Sequence, residues 1–204
     1  ALAVAGYAVY LVYPVAGPLF VFPGFPRPTP AVPAAVVPIL AAAVPRNCMP
    51  SLHTAWAVAV CALAWPLGRA ARLAGSVFLT LTLLATLGLG LHYLVDLVVA
   101  FPFTAAVLAA VTPAEGRPRL RAMAAGAAGV VGWLLLVRLA PEAMARTPGV
   151  VPALSALTAA GSCLLWRGVV ARPAEEIPVA AVPPPPLRAP VAAMFFLSGF
   201  AALA

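Results

Sequence analysis

Long runs of apolar residues, separated by short segments rich in arginine, proline or glycine, make up most of the chain. Several runs approach the ~20 apolar residues that a helix needs to cross a lipid bilayer. The pattern predicts an all-α fold, a polytopic transmembrane bundle of roughly six to seven spans or part-spans. The predicted helices cover residues 1–14, 52–67, 74–91, 93–111, 122–140, 150–167 and 190–204.

Two proline-rich segments interrupt the helical pattern. Residues 15–50 contain "FPGFPRPTPAVP", which is incompatible with regular helix. Residues 172–190 contain "VPPPP", which is typical of a polyproline linker. The first apolar run resembles the second half of a helix, and we expect further helices to precede it.

The composition agrees with a membrane location. Hydrophobic residues form 64% of the 204 residues and charged residues only 8%, whereas a soluble domain carries about 25% charged residues. The net charge of +7 comes from arginines placed between apolar runs, so it indicates topology and no nucleic-acid partner. The three scattered cysteines predict no disulfide framework and no zinc site, and we expect no cofactor. They are Cys48, Cys61 and Cys163.

The arginines also orient the predicted helices. They concentrate in the connections 66–74, 112–121 and 167–189, which the positive-inside rule assigns to the cytoplasm. The ends near residues 51, 92 and 141–149 then face the other side. The lysine-free, alanine-rich composition favours a bacterial plasma membrane.

The rare ionisable residues lie in two short stretches, "PRNCMPSLHTAWA" and "GLGLHYLVDLVVA". His92 and Asp96 are spaced i, i+4, so a helix would let the carboxylate hold the imidazole N–H. His53 and Ser51 lie where a helix begins, which is a natural anion site. Arg46 offers a planar fork that suits phosphate. These parts together favour phosphoryl transfer at the outer face.

Each residue also has an ordinary structural interpretation. Either histidine could be a packing residue, and the His–Asp pair could be mutual neutralisation or a transporter's proton site. Ser51 could be a helix cap, and Arg46 an interfacial anchor. Ionisable residues at membrane depth are costly, however, and they are usually functional.

"MPSLHTAWA" followed by "GLHYLVDLVVAFP" resembles the type 2 phosphatidic acid phosphatase superfamily, over about residues 7–111. It resembles most the branch of inositolphosphorylceramide synthases and related bacterial proteins. Two superfamily motifs are incomplete in this chain. The Pro-Ser-Gly-His motif has Leu52 in place of glycine, and the Ser-Arg pair of the motif ending in His92 and Asp96 falls on Ala85 and Thr86. The Lys-x6-Arg-Pro motif has no counterpart, since "PRPTP" around Arg27 does not match it.

The resemblance implies a metal-independent enzyme that acts on a lipid phosphate or phospholipid from the extracytoplasmic face. His92 would form a phosphohistidine, oriented by Asp96, while His53 would transfer protons. Phosphate would contact Arg46, Ser51 and Leu52. Water as acceptor would make a phosphatase, and a lipid hydroxyl a phosphotransferase. An inositol-phosphate transferase and a degenerate, non-enzymatic relative stay open. Residues 1–111 would form the catalytic core, and 112–204 additional helices with a cytoplasmic linker.

Overall fold

The computed structural model of the protein describes residues 1–22, 46–112, 116–147 and 149–170. Chain contacts divide the protein into units of residues 1–172 and 173–204, and every described element lies in the first unit. The described residues form helices, so the predicted all-α bundle is confirmed. The helices are α1 Leu2–Val12, α2 Pro18–Val21, α3 Leu52–Ala64 with a 3-10 turn Trp65–Leu67, α4 Arg69–Gly88, α5 Leu94–Val111, α6 Arg117–Leu139, α7 Pro141–Arg146 and α8 Val150–Val170.

Two helices begin about one turn earlier than the apolar pattern predicted. The helix α4 begins at Arg69, directly after Gly68 with φ 105°, and α6 begins at Arg117, directly after Gly116 with φ 88°. Arginine is a good helix former whose long side chain can reach away from an apolar surface. Arg69, Arg72, Arg117 and Arg119, which the pattern assigned to connections, therefore lie in first helical turns. The prediction 74–91 also ran too far, because α4 ends at Gly88.

The remaining predicted helices agree with the structure to within about three residues. Two short helices, α2 and α7, lie in segments predicted as connections, and each has proline in its first turn, where proline is tolerated. The predicted helix 190–204, the proline-rich linker 172–190 and the region 23–45 lie outside the described residues.

Four helices, α4, α5, α6 and α8, are long and apolar enough to cross a membrane, and α1 and α3 are shorter apolar helices. The helix α4 presents leucine and valine outward at Leu73, Val77, Leu81 and Leu84. Water would penalise such a surface, whereas lipid tails would not. The protein is a polytopic integral membrane protein.

The helix α5 is the centre of the bundle. Of its residues, 67% are buried, against 11% of the most apolar stretch of α4. The Thr104 hydroxyl donates to the Ala55 carbonyl of α3 at 3.2 Å. On the opposite side, α6 approaches closely because Gly126 lacks a side chain: a Cβ there would lie 2.6 Å from the Pro102 carbonyl oxygen. Small residues of this kind allow close packing between membrane helices.

The two ends of the bundle differ in their aromatic and basic residues. At one end, the Trp65 ring lies 5.5 Å from the Arg72 guanidinium and 4.9 Å from that of Arg167. Both distances fit cation–π interaction. The start of α3, the start of α5 and the end of α6 lie at the other end. Both polar stretches, around His53 and His92, are at that second end.

The close α5–α6 approach makes a stability prediction. Gly126→Ala would place a methyl group against the Pro102 carbonyl, an overpacking that costs about 1–3 kcal/mol. This exceeds the ~1 kcal/mol that alanine gains over glycine in a helix. We expect a lower melting temperature in detergent for Gly126→Ala. Gly132→Ala on the same helix, where a Cβ meets nothing within 4 Å, should be neutral or stabilising. Equal stability of the two variants would contradict the prediction.

Candidate active site

The loop 46–51, which precedes α3, is held between two other parts of the chain. On one side, the Cys48 backbone N–H donates to the Val15 carbonyl at 3.0 Å. On the other side, the Ser51 backbone N–H donates to the Asp96 carbonyl at 3.1 Å. These bonds bring the two polar stretches of the sequence together, although about 40 residues separate them along the chain.

Ser51 is the N-cap of α3. Its hydroxyl accepts a hydrogen bond from the Thr54 backbone N–H at 3.3 Å, and its side chain is fully buried. An N-cap of this kind satisfies one of the free N–H groups at a helix start. The hydroxyl that the sequence offered as a phosphate ligand therefore has a structural partner already.

Leu52, which stands where the superfamily motif has glycine, packs against α1. A Cβ on Gly6 would lie 2.5 Å from Leu52 Cδ2, so the leucine occupies the space that this glycine leaves. The Tyr10 hydroxyl of α1 also donates to the Pro50 carbonyl at 2.8 Å. The Pro-Ser-Leu-His stretch is thus attached to the first helix by both packing and a hydrogen bond.

The two histidines face each other. His53 Nδ1 lies 3.4 Å from His92 Nε2, and the ring centroids are 5.6 Å apart in an edge-to-face arrangement. His92 is buried, whereas His53 is exposed at the first turn of α3. The structure brings together the pair that the sequence predicted to share one end of the bundle.

The partner of His92 Nδ1 determines the tautomer of the ring. This nitrogen lies 2.9 Å from the Cys48 carbonyl oxygen, which can only accept a hydrogen bond. Nδ1 therefore carries the proton in the neutral ring, and Nε2 presents a lone pair toward His53. A histidine needs this tautomer to attack phosphorus through Nε2.

The predicted hydrogen bond from His92 to the Asp96 carboxylate is absent, and this expectation was wrong. His92 precedes α5 instead of lying in it, and its Nδ1 is 3.7 Å from Asp96 Oδ2. That oxygen accepts from the Tyr93 backbone N–H at 2.7 Å and from the Cys48 thiol at 2.8 Å. The carboxylate caps the helix and stays near enough to attract a positively charged imidazole.

Cys48 is the site residue that sequence reasoning missed. It is 2% exposed, and burial, followed by the neighbouring Asp96 charge, raises the pKa of its thiol well above the usual range. The thiol therefore stays protonated and donates to the carboxylate. Its position in the only strongly polar loop before α3, beside Asn47, was the available signal.

Cys48, His92 and Asp96 also form a group that could hold a metal ion, because their ligand atoms lie within 4.8 Å of one another. Sulfur, imidazole nitrogen and carboxylate oxygen are ligand types that zinc accepts. Here, however, the Cys48 thiol and His92 Nδ1 each carry a proton that a metal would have to displace. The sequence anticipated no such grouping of a cysteine with the two motif residues.

Two further positions bear on phosphate binding: Arg46, which was expected to contact phosphate, and Thr86, where the superfamily arginine is missing. Arg46 lies exposed in the same loop, two residues before Cys48, and its role toward phosphate stays a prediction. Thr86, at the position of the superfamily's arginine, is buried and donates to the Thr82 carbonyl of its own helix at 2.8 Å.

Residues 1–110, more than half of the chain, match a family model described as the PAP2 superfamily. The chain belongs to the PAP2 superfamily. The match contains both polar stretches, and so all the contacts just described between Cys48, His53, His92 and Asp96. No curated protein and no solved structure is significantly similar to the chain.

The Cys48 thiol gives the PAP2 fold a testable pH dependence. An unfolded thiol ionises above about pH 8.5, whereas the folded Cys48 thiol, with its raised pKa, keeps its proton. The unfolded state then binds fewer protons, so stability falls as pH rises. We expect the melting temperature of Cys48→Ala to decline less between about pH 7 and pH 10 than that of wild type. Cys61→Ala, whose thiol neighbours Ser76, should decline like wild type. Parallel declines for all three proteins would refute the assignment.

Proposed function

We propose that this PAP2 protein is a membrane-embedded lipid phosphate phosphatase or phosphotransferase that works through a phosphohistidine on His92. The observation that carries the proposal is the orientation of the buried His92 ring. Its Nδ1 proton is held by the Cys48 carbonyl, and its Nε2 faces an exposed second histidine. A buried nucleophile beside an exposed proton carrier is the arrangement that two-step phosphoryl transfer requires.

In the first step, His92 Nε2 attacks phosphorus, the N–P bond forms and the bond to the leaving oxygen breaks. The leaving oxygen takes the electron pair and a proton from His53. The two rings now contact each other at 3.4 Å, so substrate must separate them. Because His53 is exposed at the start of a helix, its side chain has room to turn away.

In the second step, His53 removes a proton from the acceptor hydroxyl, which attacks phosphorus and breaks the N–P bond. The electron pair returns to His92 Nε2. Between the steps the His92 ring is positively charged, and the Asp96 carboxylate at 3.7 Å and the Cys48 carbonyl at 2.9 Å stabilise that charge. Asp96 thus supports His92 in two ways: its charge stabilises the positively charged ring, and its hydrogen bond from Cys48 holds the loop that contacts the ring.

Within residues 1–110, which match the family model, the candidates for binding the phosphate are Arg46 and the backbone at the start of α3. A helix start attracts anions because of its free N–H groups and its dipole. Ser51 and Leu52 contribute by setting this start in place, through the cap and through packing on α1.

We infer that the site faces the extracytoplasmic side. The opposite end of the bundle carries most of the described arginines, and the positive-inside rule assigns that end to the cytoplasm. Water as acceptor makes the protein a phosphatase, and a lipid hydroxyl makes it a phosphotransferase, such as an inositol-phosphate transferase. Product analysis with and without an added lipid alcohol separates phosphotransferase from phosphatase, and the absence of any turnover would favour a non-enzymatic relative.

Rapid quenching with a labelled lipid phosphate tests the covalent step. We expect wild type to form an acid-labile, base-stable adduct on His92. His92→Ala should form none, because it lacks the attacking nitrogen. His53→Ala should slow both formation and breakdown of the adduct by roughly 100-fold or more, the range for loss of a general acid–base group. Label on His53, or turnover without His92, would show that the roles are assigned wrongly.

We expect turnover to be independent of metal ions. Metal-assisted phosphoryl transfer usually relies on carboxylates. Among the described residues, this end of the bundle offers only Asp96, which is buried with two hydrogen bonds to Oδ2, and Glu142, which is paired with Arg146. Activity should persist in excess chelator. Loss of activity on chelation and its return with Mg²⁺ would contradict the proposal.

A further inference from the structure

A cavity of about 460 Å³ lies beside the polar stretch that contains His92 and Asp96. The segment that follows α1 forms one wall, and Tyr93, the neighbour of His92 in sequence, forms part of another. The last turn of α6 completes the cavity with Arg138. The cavity is therefore lined both by residues of the segment 1–110, which matches the family model, and by α6, which lies outside that segment.

Arg138 has no hydrogen bond or ion pair with another residue in the described part of the chain. Its neighbour at this end, Arg146, is paired with Glu142 at 3.1 Å instead. A helix C-terminus favours a cation, which is sufficient to explain a basic residue in this turn. It does not explain why the guanidinium lines a cavity together with Tyr93, the residue that follows His92 in the chain. An unpaired guanidinium there has five donors available for an anion.

We propose that this cavity binds the phosphate-bearing head group of the lipid substrate, with Arg138 as its phosphate ligand. The inference rests on the proposed function and adds to it the cation that the incomplete motifs lack. Arg138 lies on α6, whereas the superfamily motif would have placed an arginine at Thr86 on α4. A planar fork is well suited to two phosphate oxygens.

Tyr93 supplies a second polar group in the cavity. A tyrosine phenol carries its proton at neutral pH, so Tyr93, which lines the cavity, can donate to a phosphate oxygen. Since the Tyr93 backbone N–H is bonded to Asp96 Oδ2, the residue is fixed relative to the His92 site.

The rim of the cavity favours a lipid over a soluble phosphate ester. Val12 is 83% exposed and Val21 is 50% exposed, and both line the cavity. In a bilayer these side chains would contact acyl chains. A head group at Arg138 would thus leave its tails against an apolar rim, which a free phosphate ester could not use.

Binding without turnover is the direct test. In the His92→Ala background, binding of a labelled short-chain phosphatidate is measured for the parent, Arg138→Gln, Arg138→Lys and the control Arg146→Gln. We expect Arg138→Gln to weaken binding roughly 10- to 100-fold, the range for losing a charge-assisted hydrogen bond. Arg138→Lys should fall between, and Arg146→Gln should bind like the parent. Binding by Arg138→Gln within twofold of the parent would overturn the proposal.

Competition distinguishes the two sources of phosphate. Unlabelled phosphatidate should displace the label at lower concentration than glycerol phosphate, and diacylglycerol without phosphate should not displace it. Equal competition by glycerol phosphate would show a soluble-ester site and overturn the lipid assignment.

The adduct assay separates this inference from the proposed function. In otherwise wild-type protein, Arg138→Gln should raise KM for the lipid phosphate while the adduct still forms on His92. An unchanged KM with a normal adduct would refute the role of Arg138 and leave the phosphohistidine mechanism standing. Arg138-dependent binding in a protein that never forms the adduct would refute the mechanism and leave the binding site standing.

Discussion

The buried carboxylate of Asp96 is the constraint on which the site depends. A carboxylate removed from water is costly unless donors surround it, and Asp96 has no exposed surface. Its Oδ2 takes one donor from the chain just before α5 and one from the Cys48 thiol. Its backbone carbonyl takes a third donor from Ser51. The donors to Oδ2 and to the backbone carbonyl tie the loop before α3 to the start of α5, while the buried Oδ1 has no hydrogen-bond partner among the described residues.

That tie explains how the histidines become chemically distinct. Once the loop is held, the Cys48 carbonyl lies where it accepts the His92 Nδ1 proton, and Nε2 is left with its lone pair facing His53. His53 receives no comparable partner from a carboxylate and keeps an exposed position. In the proposed mechanism this difference gives His92 the covalent step and His53 the proton transfers, without a hydrogen bond between the carboxylate and the His92 ring.

Local pattern was sufficient to predict the long helices that the structure describes, the membrane location and the placement of His53 and His92 at one end of the bundle. These predictions needed only the length of each apolar run and the positions of the arginines, which are local properties of the sequence set by the bilayer. The role of Cys48 could not be predicted in the same way, because its partners lie more than 40 residues away and depend on how the loop folds back. The i, i+4 spacing of His92 and Asp96 misled for a related reason: it presumes helix, and the helix begins after His92. The start of α4 at Arg69 was not predicted, because the search for apolar residues excluded a first helical turn that contains arginines.

The contacts of the Trp65 ring with the Arg72 and Arg167 guanidiniums indicate how deep in the bilayer the site lies. A tryptophan beside arginines is typical of the boundary between lipid tails and head groups. Along α3, a rise of ~1.5 Å per residue places His53 roughly 18 Å from that boundary. The hydrocarbon core is ~30 Å thick. The bilayer around this face must thin, or water must enter from the far side, before a phosphate can meet the histidines. For the proposed reaction, membrane thickness then becomes a variable, and lipid composition a means of controlling its rate.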